Sequence, residues 1–142
     1  MVNSMEKNFW AKVEEKQLDF WKKEQIFEKS LQHRQGRPVF IFYDGPPFAN
    51  GLPHYGHLLA MSVKDLFCRY KTMRGFNVPR RAGWDCHGLP VEYELEKELG
   101  ISGKKQIEKY GIEKFNSKAR ESVLRYVDVW TATMERLGRF ID

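Results

Sequence analysis

The stretch VFIFYDGPPFANGLPHYGHLL, residues 39–59, contains the change of pattern that decides the fold. Residues 39–44 are predicted to form a buried strand, since the first five of them are aromatic or β-branched, and we expect a parallel one because both faces are apolar. A loop rich in proline and glycine follows. Pro53 suits the first position of a helix, where its missing N–H costs nothing. Two histidines, His54 and His57, fall at this predicted helix start.

The segments on both sides predict further helices and one more strand. Helical spacing of apolar residues extends over residues 5–31, 59–73 and about 113–137, and shorter helices are predicted to open at Pro90 and Lys104. Gly75 and Gly100 are placed to end two of them. Residues 76–78 can start a second strand. The helix between the two strands carries one apolar stripe that should pack on the first strand: Leu59, Val63, Leu66, Tyr70 and Met73.

A strand, a helix and a second strand in this order open a βαβ unit. The sequence therefore predicts an α/β fold with a right-handed crossover. Two strands alone leave bare edges and an uncovered face. We expect these 142 residues to be the first part of a larger α/β domain.

The composition limits the function without fixing it. The chain is 42% hydrophobic and carries a formal net charge of +5, which permits an anionic partner such as a nucleotide or RNA. Two cysteines are too few for a disulfide framework. Because no apolar run is long enough to span a bilayer, we expect a cytoplasmic protein without a membrane partner.

The loop and helix start are suited to binding phosphate. The loop after a strand in an α/β sheet faces the crevice where ligands bind, and a helix N-terminus favours an anion. His54 and His57 are three residues apart, so they share one face of the first turn and can donate hydrogen bonds to phosphate oxygens. Two surface histidines beside a plain turn remain an alternative. A zinc site that adds Asp85, Cys86 and His87 is another.

A second motif, GWDCHGLPVE at residues 83–92, places Asp85 near the end of the second predicted strand. A carboxylate at that edge could pair with the α-ammonium group of an amino acid. It could equally cap a turn or the helix that opens at Pro90. The residues alone leave both interpretations open.

Both motifs resemble the class I aminoacyl-tRNA synthetases. PHYGH, residues 53–57, is similar to the family's His-Ile-Gly-His signature, with Tyr55 in the isoleucine place. The longer DGPPFANGLPHYGH resembles the form found in the isoleucine-specific members. GWDCHGLP, residues 83–90, resembles their Gly-Trp-Asp-x-His-Gly-Leu-Pro, and His87 favours isoleucine over leucine or valine.

The resemblance implies a fold and a set of site residues. It implies an N-terminal helical segment over residues 1–36 and, over residues 37–142, the first half of a Rossmann-like (HUP-type) catalytic domain that stops before an editing insertion. No protein-bound metal is expected in this segment, since Mg²⁺ would enter with ATP. The implied ATP-binding residues are Asn50, His54, Gly56 and His57, of which the two histidines are catalytic. The implied isoleucine-binding residues are Gly45, Pro46 and Asp85.

The implied activity is an ATP-dependent ligation of L-isoleucine to tRNA(Ile) through an aminoacyl-adenylate. The family's second signature, Lys-Met-Ser-Lys-Ser, does not occur in these 142 residues, so we expect the segment alone not to charge tRNA. Three alternatives stay open at this point. They are another class I synthetase such as the valine or leucine enzyme, another adenylyl-transferring enzyme of the same fold, and a non-enzymatic segment that binds RNA or a protein partner.

Overall fold

The computed structural model describes residues 4–142, with side chains from Phe9 onward. None of the helices in that range is both long and apolar enough to cross a membrane. The helices are α1 (Ser4–Lys23), α2 (Ile26–Gln32), α3 (Tyr55–Met73), α4 (Leu89–Leu99), α5 (Lys104–Tyr110), α6 (Ile112–Ser122) and α7 (Val127–Arg136).

The chain divides into two compact units that interleave along the sequence. Unit 1 comprises Met1–Tyr43, Tyr55–Arg81 and Thr133–Asp142, and unit 2 comprises Asp44–His54 and Ala82–Ala132. Helix α7 therefore runs from unit 2 into unit 1. The predicted domain boundary after residue 36 stays a prediction, and residues 1–3 of that predicted segment lie outside the described residues.

The helix predictions hold for α3, α4 and α5, and two long helices are interrupted. Gly100 ends α4 in the left-handed conformation as predicted, and Gly75, at φ +92°, follows the end of α3. The helix predicted over residues 5–31 breaks at Gln25, which adopts φ 50°. The helix predicted from residue 113 to 137 breaks between Ser122 and Val127.

The two predicted strands do not form. Among the described residues the only β-type pairings are two isolated parallel bridges, Val39 with Asn77 and Phe48 with Asp85. In the first, the Phe40 N–H donates to the Asn77 oxygen at 2.9 Å. The α/β prediction is therefore not confirmed, although the parallel direction agrees with it. The first segment is also not buried as predicted, since Ile41 is 65% exposed and no neighbouring strand covers it within the described range.

Helix α3 buries the face opposite to the one predicted. The five residues of the predicted stripe are exposed, from 46% for Val63 to 73% for Met73. The buried residues are Met61, Cys68 and Thr72, and Asp65 lies at the matching helical spacing. The prediction was wrong because it chose the more apolar stripe, whereas the buried stripe contains polar residues that serve a buried cation.

That cation is Arg80, which is 8% exposed and lies in unit 1. Its guanidinium donates to the Thr72 hydroxyl at 2.7 Å and to the Phe140 carbonyl at 3.1 Å, and lies 3.5 Å from an Asp65 oxygen. Its Nε atom has no hydrogen-bond partner among the described residues. Burial lowers the pKa of Arg80 from its ordinary value, and the neighbouring Cys68 and Asp65 oppose that change.

Asp65 also links the end of the described chain to α3. The same carboxylate oxygen that faces Arg80 accepts a hydrogen bond from the Phe140 N–H at 3.2 Å. The other oxygen accepts one from Arg69 Nε at 2.5 Å. The Arg69 guanidinium lies 3.7 Å from the centre of the Phe140 ring, and Trp21 meets the same ring edge-on at 5.1 Å. Residues distant in sequence thus share one cluster.

Unit 2 has a core of its own. Helices α4 and α5 both pack on α6. The residues that fill this core are almost completely buried: Ala49, Val91, Leu95, Phe115 and Trp130. The predicted stripe on the last long helical region is confirmed in part: Phe115 and Trp130 are buried here and Met134 in unit 1, whereas Leu137 is 40% exposed.

We predict that Asp65→Asn destabilises the chain by about 3 kcal/mol, because it leaves Arg80 buried without an opposing charge. The free energy of unfolding in urea measures the effect. The neighbouring Arg81 is the control, since its ion pair with Asp142 is 3.7 Å long and both side chains are exposed. Arg81→Gln should leave the stability unchanged. An Asp65→Asn variant as stable as the wild type would contradict the account of the cluster.

Candidate active site

The loop of residues 44–54 and the segment that contains Asp85 are paired through their backbones in unit 2. The Asp85 N–H donates to the Pro47 carbonyl at 2.9 Å, next to the parallel bridge between Phe48 and Asp85. A Cβ atom placed on Gly83 would lie 3.8 Å from the Cβ of Pro46. The two motifs that stood out in the sequence therefore lie side by side.

Two carbonyls of the same loop accept hydrogen bonds from residues at the start of α7. The Ala49 carbonyl accepts a hydrogen bond from the Tyr126 N–H at 2.9 Å. The Gly51 carbonyl accepts one from the Trp130 indole N–H at 2.8 Å. The Tyr126 amide lies at the break between α6 and α7, so the interruption of the predicted long helix accompanies a contact to the loop.

Asn50 connects the loop to helix α4. Its side-chain amide nitrogen donates to the Pro90 carbonyl at 3.2 Å. This contact occupies one donor of the side chain. The predicted role of Asn50 in binding ATP stays a prediction, and the structure adds a role in holding the loop.

The Asp85 side chain is partly accessible, at 31% exposure. Its Oδ1 atom accepts a weak hydrogen bond from the His87 N–H at 3.4 Å, and the His87 ring nitrogen lies 4.0 Å away. The N-cap residue of α4 is Gly88, and no side chain caps that helix. Asp85 therefore stabilises a turn and does not cap α4. Its Oδ2 atom has no partner within the described part of the chain and is available to a cationic ligand.

The two histidines of the phosphate motif flank the start of α3. His54 directly precedes the helix, is exposed and belongs to unit 2. Gly56 and the half-buried His57 lie in the first helical turn and belong to unit 1. That turn contains no acidic residue, so no carboxylate on it neutralises the positive end of the helix dipole. A helix start without acidic residues of its own favours an anion.

The structure places most of the predicted site residues in one unit. Gly45, Pro46, Asn50, His54 and Asp85 all belong to unit 2. Over residues 4–142, no group of three or more His, Cys, Asp or Glu side chains is arranged to hold a metal ion, and the residues weighed for zinc form no such group.

Sequence reasoning missed Tyr126 and Trp130 as residues that hold the loop. A buried indole N–H needs an acceptor, so a tryptophan on an apolar stripe is a usable signal. The signal does not identify the acceptor, which lies 79 residues away in sequence. The Tyr126 contact is a backbone hydrogen bond that any residue except proline could form, so the residue type does not predict it.

Comparison with known proteins shows which family of proteins this chain belongs to. The family described as "tRNA synthetases class I (I, L, M and V)" matches residues 16–142. The chain therefore belongs to the class I tRNA synthetases.

Among curated proteins, this chain is similar to isoleucine–tRNA ligases. It is 60% identical over 129 residues to that of Protochlamydia amoebophila, covering 91% of this chain and 12% of the relative. It is 57% identical over 142 residues to that of Chlamydia muridarum, covering 100% and 14%. It is 59% identical over 133 residues to that of Treponema denticola, covering 94% and 12%. The chain thus spans 12–14% of the length of these relatives.

We predict that Trp130→Phe loosens the loop, because the Gly51 carbonyl loses its indole donor. An acceptor left without its partner costs about 1–3 kcal/mol. Hydrogen exchange measures the effect, and the amides of Asp85 and Tyr126, which donate to the Pro47 and Ala49 carbonyls of the loop, should exchange faster. Trp84 is the matched control, since its indole forms no hydrogen bond among the described residues and its ring meets Trp130 edge-on at 6.3 Å. If these amides exchange at equal rates in Trp84→Phe and Trp130→Phe, the hydrogen bond from Trp130 to Gly51 does not hold the loop.

Proposed function

We propose that this chain forms the nucleotide- and amino-acid-binding part of an isoleucine–tRNA ligase. The observation that carries the proposal is the backbone pairing of Asp85 with the loop at Pro47 and Phe48, in a chain of the class I family. The identity of 57–60% to isoleucine–tRNA ligases favours isoleucine as the amino acid.

Asp85 is the proposed partner of the substrate's α-ammonium group. One of its oxygens is engaged in a turn and the other is available, and the backbone around it is fixed by the Pro47 contact. Gly45 and Pro46 lie in the paired loop and are proposed to form part of the wall of the isoleucine pocket. A carboxylate held in this way can accept a charge-assisted hydrogen bond, which is stronger than a neutral one.

The start of α3 is the proposed phosphate site. His54 and His57 would donate to the phosphates of ATP, and Gly56 would let the nucleotide lie against the helix start without a Cβ in the way. Asn50 is the fourth proposed ATP-binding residue. These four assignments rest on the motif and on a first turn of α3 that contains no acidic residue.

The proposed chemistry needs no covalent intermediate on the protein. The isoleucine carboxylate attacks the α-phosphorus of ATP, which is bound as its Mg²⁺ complex, and pyrophosphate leaves. A terminal ribose hydroxyl of tRNA(Ile) then takes the acyl group from the adenylate. Positioning and stabilisation of phosphate charge are sufficient for such a reaction. Asp85 orients the nucleophile and the two histidines stabilise the charge.

The proposal includes a Rossmann-like (HUP-type) sheet that these residues begin. Residues 1–36 are the proposed helical segment, and residues 37–142 the first half of the catalytic domain, before an editing insertion. The parallel direction of both bridges supports this, as does the exposure of Ile41 and Tyr43 beside the first bridge. Further strands would cover that edge. A cytoplasmic location belongs to the same proposal.

Exchange of labelled pyrophosphate into ATP tests the function, in a full-length enzyme that carries this chain. Isoleucine should support the exchange much better than valine or leucine. Exchange driven by valine or leucine alone would assign a different synthetase. A lack of exchange with every amino acid would leave an RNA- or partner-binding segment. The 142-residue chain alone should not charge tRNA(Ile).

In the full-length enzyme, Asp85→Asn should lower kcat/KM for isoleucine about 10²- to 10³-fold and leave the KM for ATP unchanged. Removing one partner of a buried ion pair costs about 3–5 kcal/mol, and 1.4 kcal/mol corresponds to tenfold. Asn keeps the size of Asp and its turn acceptor, so the fold is retained. Asp128→Asn, an exposed carboxylate of the same unit, is the control. A near-normal kcat/KM for isoleucine in Asp85→Asn would contradict the ammonium-binding role of Asp85.

His57→Ala should instead lower kcat for adenylate formation about 10²- to 10³-fold, with little change in the KM for isoleucine. The phosphate oxygens gain charge as pyrophosphate leaves, so the lost contact belongs mainly to the transition state. His33→Ala, an exposed histidine that follows α2, is the control. An unchanged kcat with a raised KM for isoleucine would refute this role for His57.

A further inference from the structure

Unit 1 contains a cleft that the proposed reaction does not use. It has a volume of about 640 Å³ and is lined by His33, Arg34, Arg37, Pro38, Arg74 and Phe76. Its walls are the turn after α2 and the turn that follows α3. Three arginines and a histidine therefore line one concave surface.

Within residues 9–142, no carboxylate pairs with the charged side chains of this cleft. None of the three arginines forms an ion pair with a carboxylate among the described residues. Residues 29–43 and 66–84, which contain every lining residue, include no Asp or Glu at all. A cleft lined by charges of one sign concentrates the field and attracts ions of the opposite sign.

One of the arginines has a structural role, and the others do not share it. Arg34 donates from Nε to the Thr72 carbonyl at 2.6 Å and from Nη1 to the Ser30 carbonyl at 3.3 Å, so it joins α2 to the end of α3. Arg74 contacts the hydroxyl of Tyr70 at 3.2 Å, a neutral partner on its own helix. His33, Arg37 and Arg74 are exposed. Their cationic or donor groups remain available to an anion.

We infer that this basic cleft binds phosphate groups of an RNA backbone. The guanidinium fork matches the geometry of phosphate oxygens, and Arg37 and Arg74 offer two such forks. The volume exceeds the need of a single inorganic phosphate. The acid-free stretches on both sides suit a long polyanion that passes along the surface. That the RNA is tRNA rests on the proposed function, whereas the binding of backbone phosphate does not.

The double variant Arg37→Gln with Arg74→Gln tests the inference. Arg34 is left intact because it holds the fold. The matched control is Arg120→Gln, an exposed arginine on α6 without an ion pair in the described structure. Circular dichroism should show that both variants fold like the wild type.

Fluorescence anisotropy with a labelled, uncharged tRNA transcript gives the main readout, in the 142-residue chain and in the full-length enzyme. The double variant should bind the transcript about tenfold more weakly. The slope of log Kd against log salt should fall by about 1.5, since two phosphate contacts are lost. An RNA of unrelated sequence should lose affinity by the same factor, because backbone contacts carry no sequence information.

Several results would overturn the inference. One is a wild-type protein that binds no RNA in either form, and another is a double variant that binds RNA as Arg120→Gln does. Loss of binding to inorganic phosphate or ATP without loss of RNA binding would assign the cleft to a small anion. If the double variant binds RNA normally but the full-length protein is less stable, the cleft binds an acidic segment of the same protein.

Isoleucine-dependent pyrophosphate exchange separates this inference from the proposed function. The double variant should keep the exchange at the wild-type rate. Weakened RNA binding in a protein that shows no exchange with isoleucine would refute the proposed function and support the cleft. Normal exchange with unchanged RNA binding would support the proposed function and refute RNA binding by the cleft.

Discussion

The placement of a buried guanidinium at Arg80 is the constraint on which unit 1 depends. A cation removed from water needs an opposing charge and hydrogen-bond acceptors. Asp65 and Thr72 on α3 and the Phe140 carbonyl supply them. This requirement decides which face of α3 turns inward. The apolar stripe on the opposite face is consequently left exposed.

Much of the helical structure could be predicted from the sequence, because apolar spacing and glycine ends are local signals. Helix α5 and the ends of α3 and α4 illustrate this. The breaks at Gln25 and after Ser122 could not be predicted in the same way, since nothing in their residue types forbids a helix. The face of α3 was predicted wrongly because hydrophobicity was weighed without the charge of Arg80. A strand forms only when neighbouring strands pair with it. The two predicted strand segments are joined by a single bridge, Val39 with Asn77, among the described residues.

The motifs of the candidate site could be predicted from the sequence, whereas the contacts that hold its loop in place could not. The sequence pointed to the loop at Gly45 and to Asp85, and the structure pairs their backbones in unit 2. It could not indicate that Tyr126 and Trp130 hold the same loop, because those contacts join parts of the chain that are about 80 residues apart. The Asp85 side chain has one oxygen, Oδ2, without a partner among the described residues, which leaves it for a ligand. The precision of the site therefore depends on the backbone around it.

Unit 1 is closed by residues from both ends of the described chain, and this affects how it forms during synthesis. Gly138 adopts φ +65°, and any Cβ there would lie 3.0 Å from the Trp21 ring and 3.1 Å from Leu18. Phe140 packs on the same tryptophan. Translation at roughly 5–20 residues per second would separate the emergence of these partners by about ten seconds. During that interval the Trp21 ring of α1 would lack the residues that cover it in unit 1, whereas Phe9, Trp10 and Phe20 remain exposed even in the folded structure.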